Sequence, residues 1–132
     1  MFLTKECDYA MRIVRALSDY EKKSVNLICE REHIPIHFAY KILKKLECAE
    51  IVSSIRGALG GYQLVRSLDK ISMLDIVNAM NESLVINECL KTGHVCPNND
   101  GSHKRCKIHT ELATMQDELV RMLKGRTMDE LV

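Results

Sequence analysis

A chain of 132 residues with a formal charge of +1 is long enough for one compact domain, or for a small domain with an attached interaction element, and too short for two large ones. It opens MFLTKECDYAM, with Lys5, Glu6 and Asp8 where a signal peptide needs an apolar stretch, and no later apolar run approaches the length that spans a bilayer; the expectation is a cytoplasmic protein with no membrane partner. In a reducing compartment its six cysteines are buried hydrophobes, metal ligands or redox-active thiols rather than a disulfide framework.

Thr4 is placed to cap a first helix whose opening turn carries Glu6 and Asp8 and whose apolar residues Ala10, Ile13, Val14 and Leu17 recur at helical spacing, to about Tyr20. EKKS reads as a turn, and Asn26 as the cap of a short second helix, LICEREH, that closes before Ile34 and Pro35. A third helix follows the proline. IHFAYKILKKLECAE gathers Phe38, Ala39, Ile42, Leu43 and Leu46 on one face and His37, Tyr40, Lys41, Lys44 and Lys45 largely on the other, an apolar back and a basic front. IVSSIRGALGGYQLVR then reads as a β-hairpin, two β-branched runs around a glycine-rich tip. SMLD has the form of an acidic capping box and starts a further helix through Ile76, Val77 and Met80. Cys29 and Cys48 stand singly in helical patterns and read as packing residues; Cys7 has no such clear reading.

CLKTGHVCPNNDGSHKRCKIH comes next, a polar segment with Cys89, Cys96 and Cys106 separated by six and nine residues. From Ile108 the residues Leu112, Met115, Leu119 and Met122 alternate steps of four and three, the spacing of a coiled-coil seam. One such helix cannot bury its own stripe, so a homodimer is expected. Gly125 ends the helix, and TMDE is placed to cap a last short turn.

Three helices, the third basic, with a hairpin directly after them make a mainly α winged helix-turn-helix: residues 1–80 as the DNA-binding domain, residues 81–132 as a cysteine-bearing loop and a long C-terminal dimerisation helix. A helix fits the major groove of double-stranded operator DNA, and a hairpin reaches the adjacent backbone or minor groove. Residues 1–66 hold 11 Lys/Arg against 8 Asp/Glu, and residues 67–132 hold 8 against 10, so the basic surplus sits in the half that would touch phosphate. Lys41, Lys44, Lys45 and Arg56 are candidate phosphate contacts, and His37 and Tyr40 candidates for base edges or phosphates. Gly60 and Gly61 are expected to permit backbone conformations closed to larger residues and to let the wing tip approach DNA.

FLTKECDYAMR, IPIHFAYKILKKLECAEIVSSIRGALGGYQLVR, ISMLDIVNAM and the final TMDELV resemble the iron–sulfur cluster regulator family (IscR/NsrR/RirA-like) of bacterial winged helix-turn-helix transcription factors, over nearly the whole chain. The resemblance implies a homodimer crossed by its C-terminal helices and a [2Fe-2S] or [4Fe-4S] iron–sulfur cluster held by three cysteines and one further ligand. Cys89, Cys96 and Cys106 match the three thiolates. For the fourth ligand two positions compete: His109, three residues after Cys106, and Asp8, which would reach across the dimer. His94 and His103 read as exposed loop residues. Structural zinc in a Cys3His site, or no metal, is the alternative for the same segment. An enzyme reading lacks an oxyanion hole, a substrate pocket or a cofactor motif. An iron–sulfur carrier would need neither a basic helix nor a wing. As a regulator, the chain would report cluster status, redox change or nitric oxide by shifting its two recognition helices.

Overall fold

The computed structural model describes residues 3–80, 84–98 and 106–132. Helix α1 (Lys5–Ala16) begins at Thr4, whose hydroxyl accepts the Cys7 amide, with Glu6 and Asp8 at the positive end of the helix dipole. It stops short of the expected Tyr20: Leu17 is its C-cap, the Ser18 amide donates to the Arg15 carbonyl in a tightened last turn, and Tyr20 then takes a left-handed backbone, φ 62°, its hydroxyl accepting the Leu68 amide at 2.9 Å. Helix α2 (Val25–Glu32) is capped by Ser24, which accepts the Leu27 amide at 3.2 Å, rather than by Asn26, which lies inside its first turn. His33 ends α2 with φ 54°, and Pro35 stands at the N-cap of α3 (Ile36–Cys48).

Ala39, Ile42, Leu43 and Leu46 form the buried back of α3, which packs against α1, α2 and α4. At about 1.5–3 kcal/mol for each fully buried large aliphatic side chain, this contact decides how α3 lies. Strands β1 (Val52–Ile55) and β2 (Gly61–Leu64) pair antiparallel, with Val52 opposite Leu64 and Ile55 opposite Gly61. A third short pairing extends this hairpin. Lys23 N–H donates to the Tyr62 carbonyl at 2.9 Å, and Tyr62 N–H to the Lys23 carbonyl at 2.8 Å. The expected EKKS turn is therefore in part a sheet edge, and the buried Lys23 ammonium is paired with Asp19.

Helix α4 (Met73–Met80) starts with the reciprocal box read from SMLD: the Asp75 amide donates to the Ser72 hydroxyl at 3.1 Å, and the Ser72 amide to the Asp75 carboxylate at 2.9 Å. Helix α5 (Lys107–Lys124) begins directly after Cys106 and ends at Gly125. The chain then returns to the first core. Met128, in a 3-10 turn over Met128–Glu130, is 1% exposed, its amide donates to the Ile71 carbonyl at 2.8 Å, and Thr127 pairs with Ser72. Thr127 makes no side-chain cap to this turn; its hydroxyl bonds the Asp129 carboxylate at 2.5 Å instead.

Of the three cysteines outside the polar segment, Cys7 is buried and takes a bond from the Thr4 hydroxyl at 3.5 Å. Cys29 packs against the core, and burial pushes its thiol up. Cys48 is exposed at the last position of α3, so the packing role expected for it does not hold. Among the described residues no helix is long and apolar enough to cross a membrane. Ser72→Ala removes one hydroxyl from the α4 box while leaving the helix interior intact, and is expected to lower stability by about 0.5–2 kcal/mol in a denaturant melt.

Candidate nucleic-acid interface and cysteine cavity

Because its back is buried, α3 turns His37, Tyr40, Lys41 and Lys44 to solvent. The His37 ring lies 4.5 Å from that of Phe38, which restricts it at the start of the helix. Tyr40 faces the wing across a cleft of about 540 Å³, whose walls include the first turn of α2 at Ser24 and Asn26, Arg56, Gly60 and Gly61. Glu47 stands in the same cleft and accepts the Ser54 hydroxyl at 2.7 Å, tying α3 to β1. Sequence reading missed Glu47; its partner is identifiable only once helix and hairpin are side by side. Burial, then the charges of Glu47 and Tyr40, push the Tyr62 phenol up.

Larger residues are excluded at Gly60 and Gly61, as expected, and the exclusion is by space rather than by a positive φ. The left-handed backbone of the tip belongs to Gly57, φ 116°. At Gly61 the constraint is space: a Cβ there would lie 2.3 Å from the Lys23 carbonyl oxygen, and one on Gly60 2.3 Å from that of Ile55. Gly61 thus admits the third pairing of the wing.

The candidate phosphate contacts are not equivalent. Lys44 and Arg56 are exposed and have no ion pair among the described residues. Lys41 and Lys45 instead converge on one carboxylate, with Lys41 Nζ 2.7 Å from Glu6 Oε1 and Lys45 Nζ 2.5 Å from Glu6 Oε2. Hydrogen bonds from Lys41 and then Lys45 hold the Glu6 carboxyl below its ordinary value of 4.5. Lys45 also donates to the Met80 carbonyl at 3.2 Å.

Cys89, Cys96 and Cys106 line one cavity of about 410 Å³ together with His109 and His94. Two of the three thiols are placed by local structure. Cys89 lies in a 3-10 turn capped by Asn87, whose amide donates to Cys89 Sγ at 3.4 Å. Cys106 is the N-cap residue of α5 and makes no side-chain cap bond there. The segment is fixed to α5 by the Ile86 amide, which donates to Gln116 Oε1 at 2.8 Å. His94 is exposed, as expected, yet faces this cavity; His103 falls outside the described residues. Asp8 is not among the lining residues and is bonded to Arg12 at 2.6 and 3.2 Å on the surface of α1. Among the described residues no three His, Cys, Asp or Glu side chains stand close enough to hold a single metal ion. Along α5, Ile108, Met115 and Met122 are 72%, 51% and 66% exposed, and Leu123 alone is buried.

A three-helix unit whose third helix presents a basic front beside a paired wing defines the winged helix-turn-helix class of DNA-binding transcription regulators. Within that class the chain belongs to the Rrf2 family of iron-dependent transcriptional regulators, which matches residues 3–132. It is 31% identical over 135 residues to protein aau3 of Rhizobium meliloti, across 100% of this chain and 85% of that protein. To the transcriptional regulator IscR of Pectobacterium carotovorum it is 30% identical over 105 residues, 80% of this chain and 61% of the relative. Among solved structures, CymR, the global cysteine regulator of B. subtilis, superposes with a TM-score of 0.76 at 21% identity, over 97% of this chain and 93% of that one. T. potens IscR gives 0.74 at 18%, over 97% and 83%. At such identities the two structures attest the fold.

The lowered Glu6 value has a signed consequence. Stability from the Glu6 pairs is fully present above pH 4.5, the ordinary value, and is lost as pH falls through the lower folded value. Glu6→Gln should therefore be less stable than the parent at neutral pH, with the difference closing in acid, as read by denaturant melts in steps below pH 4.5.

Proposed function

We propose that the chain binds a pseudo-palindromic operator as a homodimer and reports the state of an iron–sulfur cluster held by Cys89, Cys96 and Cys106, with His109 as fourth ligand. The observation that carries this reading is the convergence of three thiols and two imidazoles, His94 and His109, on a single cavity at the start of α5, where His109 lies on the first turn of the helix. The donor set fits the group: thiolates are the ordinary ligands of iron–sulfur clusters, and an imidazole nitrogen can replace one. Asp8, bonded to Arg12 and away from the cavity walls, is the weaker candidate and would require the second copy.

When bound, the cluster supplies a centre that reacts with oxidants or nitric oxide. The chain's own residues do the rest. Asn87 orients Cys89, Gln116 holds the segment on α5, and Cys106 joins it to the first turn of the same helix. A rearrangement among the three thiols is thereby passed to α5. Its outer stripe of Ile108, Met115 and Met122 is the seam through which two copies set the spacing of their recognition helices. Operator affinity changes with that spacing.

After anaerobic reconstitution the parent should carry iron and sulfide with visible absorption. Each of Cys89→Ser, Cys96→Ser and Cys106→Ser should lose both, and His109→Ala should shift or shorten the life of the spectrum while Asp8→Ala leaves it. Zinc without sulfide in the anaerobic parent would replace the cluster reading with a structural site. Met115→Glu with Met122→Glu places charge on the seam and should convert a dimer to monomers in sedimentation while the helical content stays; a monomeric parent would remove the dimer from the proposal.

A further inference from the structure

The two lysines that meet at Glu6 face different futures when DNA arrives. Lys41 is 60% exposed at its side chain and has one bond, to the Glu6 carboxylate. A single pair from so exposed an ammonium is readily exchanged, so a phosphate oxygen can replace Glu6 as its partner. Lys45 is 33% exposed and has two partners from two other helices: Glu6 on α1 and the main-chain carbonyl of Met80, the last residue of α4. A carbonyl at the end of a helix has no amide of its own helix to pair with and carries the negative end of the dipole. Lys45 supplies both the donor and the charge. To touch phosphate it would have to abandon both.

We infer that Lys45 is a positioning residue rather than a DNA contact, and that it pins the recognition helix α3 to the C-terminal end of α4, the point from which the chain leaves for the cysteine segment. This rests on the reading of α3 as the DNA-reading helix and of the cysteine cavity as the sensor. It adds a route inside one subunit: α4's end and α3 share one ammonium, so a displacement of the chain beyond Met80 changes how α3 is held. Glu6 completes the clamp from α1, beside the apolar back that packs α3 against α1, α2 and α4.

The test uses the full chain and a duplex recovered by selection from randomised DNA. Binding is measured across a salt series for the parent and for Lys44→Met, Lys45→Met, Lys45→Arg and Glu6→Gln, and amide exchange is followed in the proteins without DNA. Lys44→Met should lower the slope of log affinity against log salt by about one, the loss of one phosphate contact. Lys45→Met should leave the slope at the parent value and speed exchange in the last turn of α4 and the second half of α3. Lys45→Arg, which keeps a charge and donors for both partners, should restore the exchange, and Glu6→Gln should reproduce the loosening from the other side. A Lys45→Met slope that falls as Lys44→Met does, or unchanged exchange in both Lys45→Met and Glu6→Gln, overturns the positioning role alone. Should Lys45→Met not fold, Lys45→Arg and Glu6→Gln decide by the same two readouts. If Lys44→Met also leaves the slope unchanged and the selected duplex is bound no better than random DNA, α3 is not the reading helix and the positioning role falls with it.

Discussion

Helix α3 buries Ala39, Ile42, Leu43 and Leu46 against α1, α2 and α4, and the place of everything on its front follows from that contact. A helix surface has room for one wide apolar stripe; once the stripe faces inward, Tyr40, Lys41 and Lys44 have no direction left but outward. The polar ties at the margins refine this placement rather than create it. Glu47 with Ser54 sets the wing against the helix on one side, and Glu6 with Lys45 sets α1 and the end of α4 on the other. Recognition in such a molecule is a property of packing first and of charge second, because charged side chains are useful to a duplex only when their backbone is held still.

Much of this is legible in the sequence. The α4 box at Ser72 and Asp75 and the Thr4 cap are rules about residues three apart, and the apolar stripes of α1 and α3 are rules about residues three and four apart; local chemistry of that range survives in a linear reading. What was missed lies between residues far apart in the chain. Lys23 pairing with Tyr62, Glu6 with Lys41 and Lys45, and Met128 with Ile71 leave no local signature. Tyr20 is instructive, since the apolar pattern of α1 continues past Ala16 to its C-cap Leu17, whereas the chain turns there and passes through a left-handed Tyr20 whose hydroxyl serves the distant Leu68 amide. Cys48 erred in the other direction: a cysteine in a helical pattern reads as core, and only the rotation of α3 shows that this one faces out.

The candidate sensor was legible as residue types and not as a place. The family resemblance pointed to Cys89, Cys96 and Cys106, with His109 and Asp8 competing for the fourth place, and the three cysteines and His109 line one cavity; the supports at Asn87 and Gln116 carried no sequence signal, because an amide side chain in a polar loop is common. His94 faces the same space although nothing in its sequence surroundings separates it from an ordinary loop histidine. The chemistry of such a loop comes from its reactive side chains, whereas its geometry comes from neighbours whose residue types are unremarkable on their own.

The return of Met128 to the first core bears on synthesis. Its side chain is buried in the core cluster that includes Ile71, and its amide closes on the Ile71 carbonyl, so the body that holds α3 is not finished when its own helices and wing have been made. A nascent chain leaving the ribosome can form α1 to α4 and the hairpin, but it carries a gap in its interior until the final turn has been translated and has travelled back along α5. Contacts this distant in sequence close late. A regulator built this way withholds its complete DNA-reading body until the segment with the cysteines has also emerged, so a chain cut short before the last turn is left with an open core.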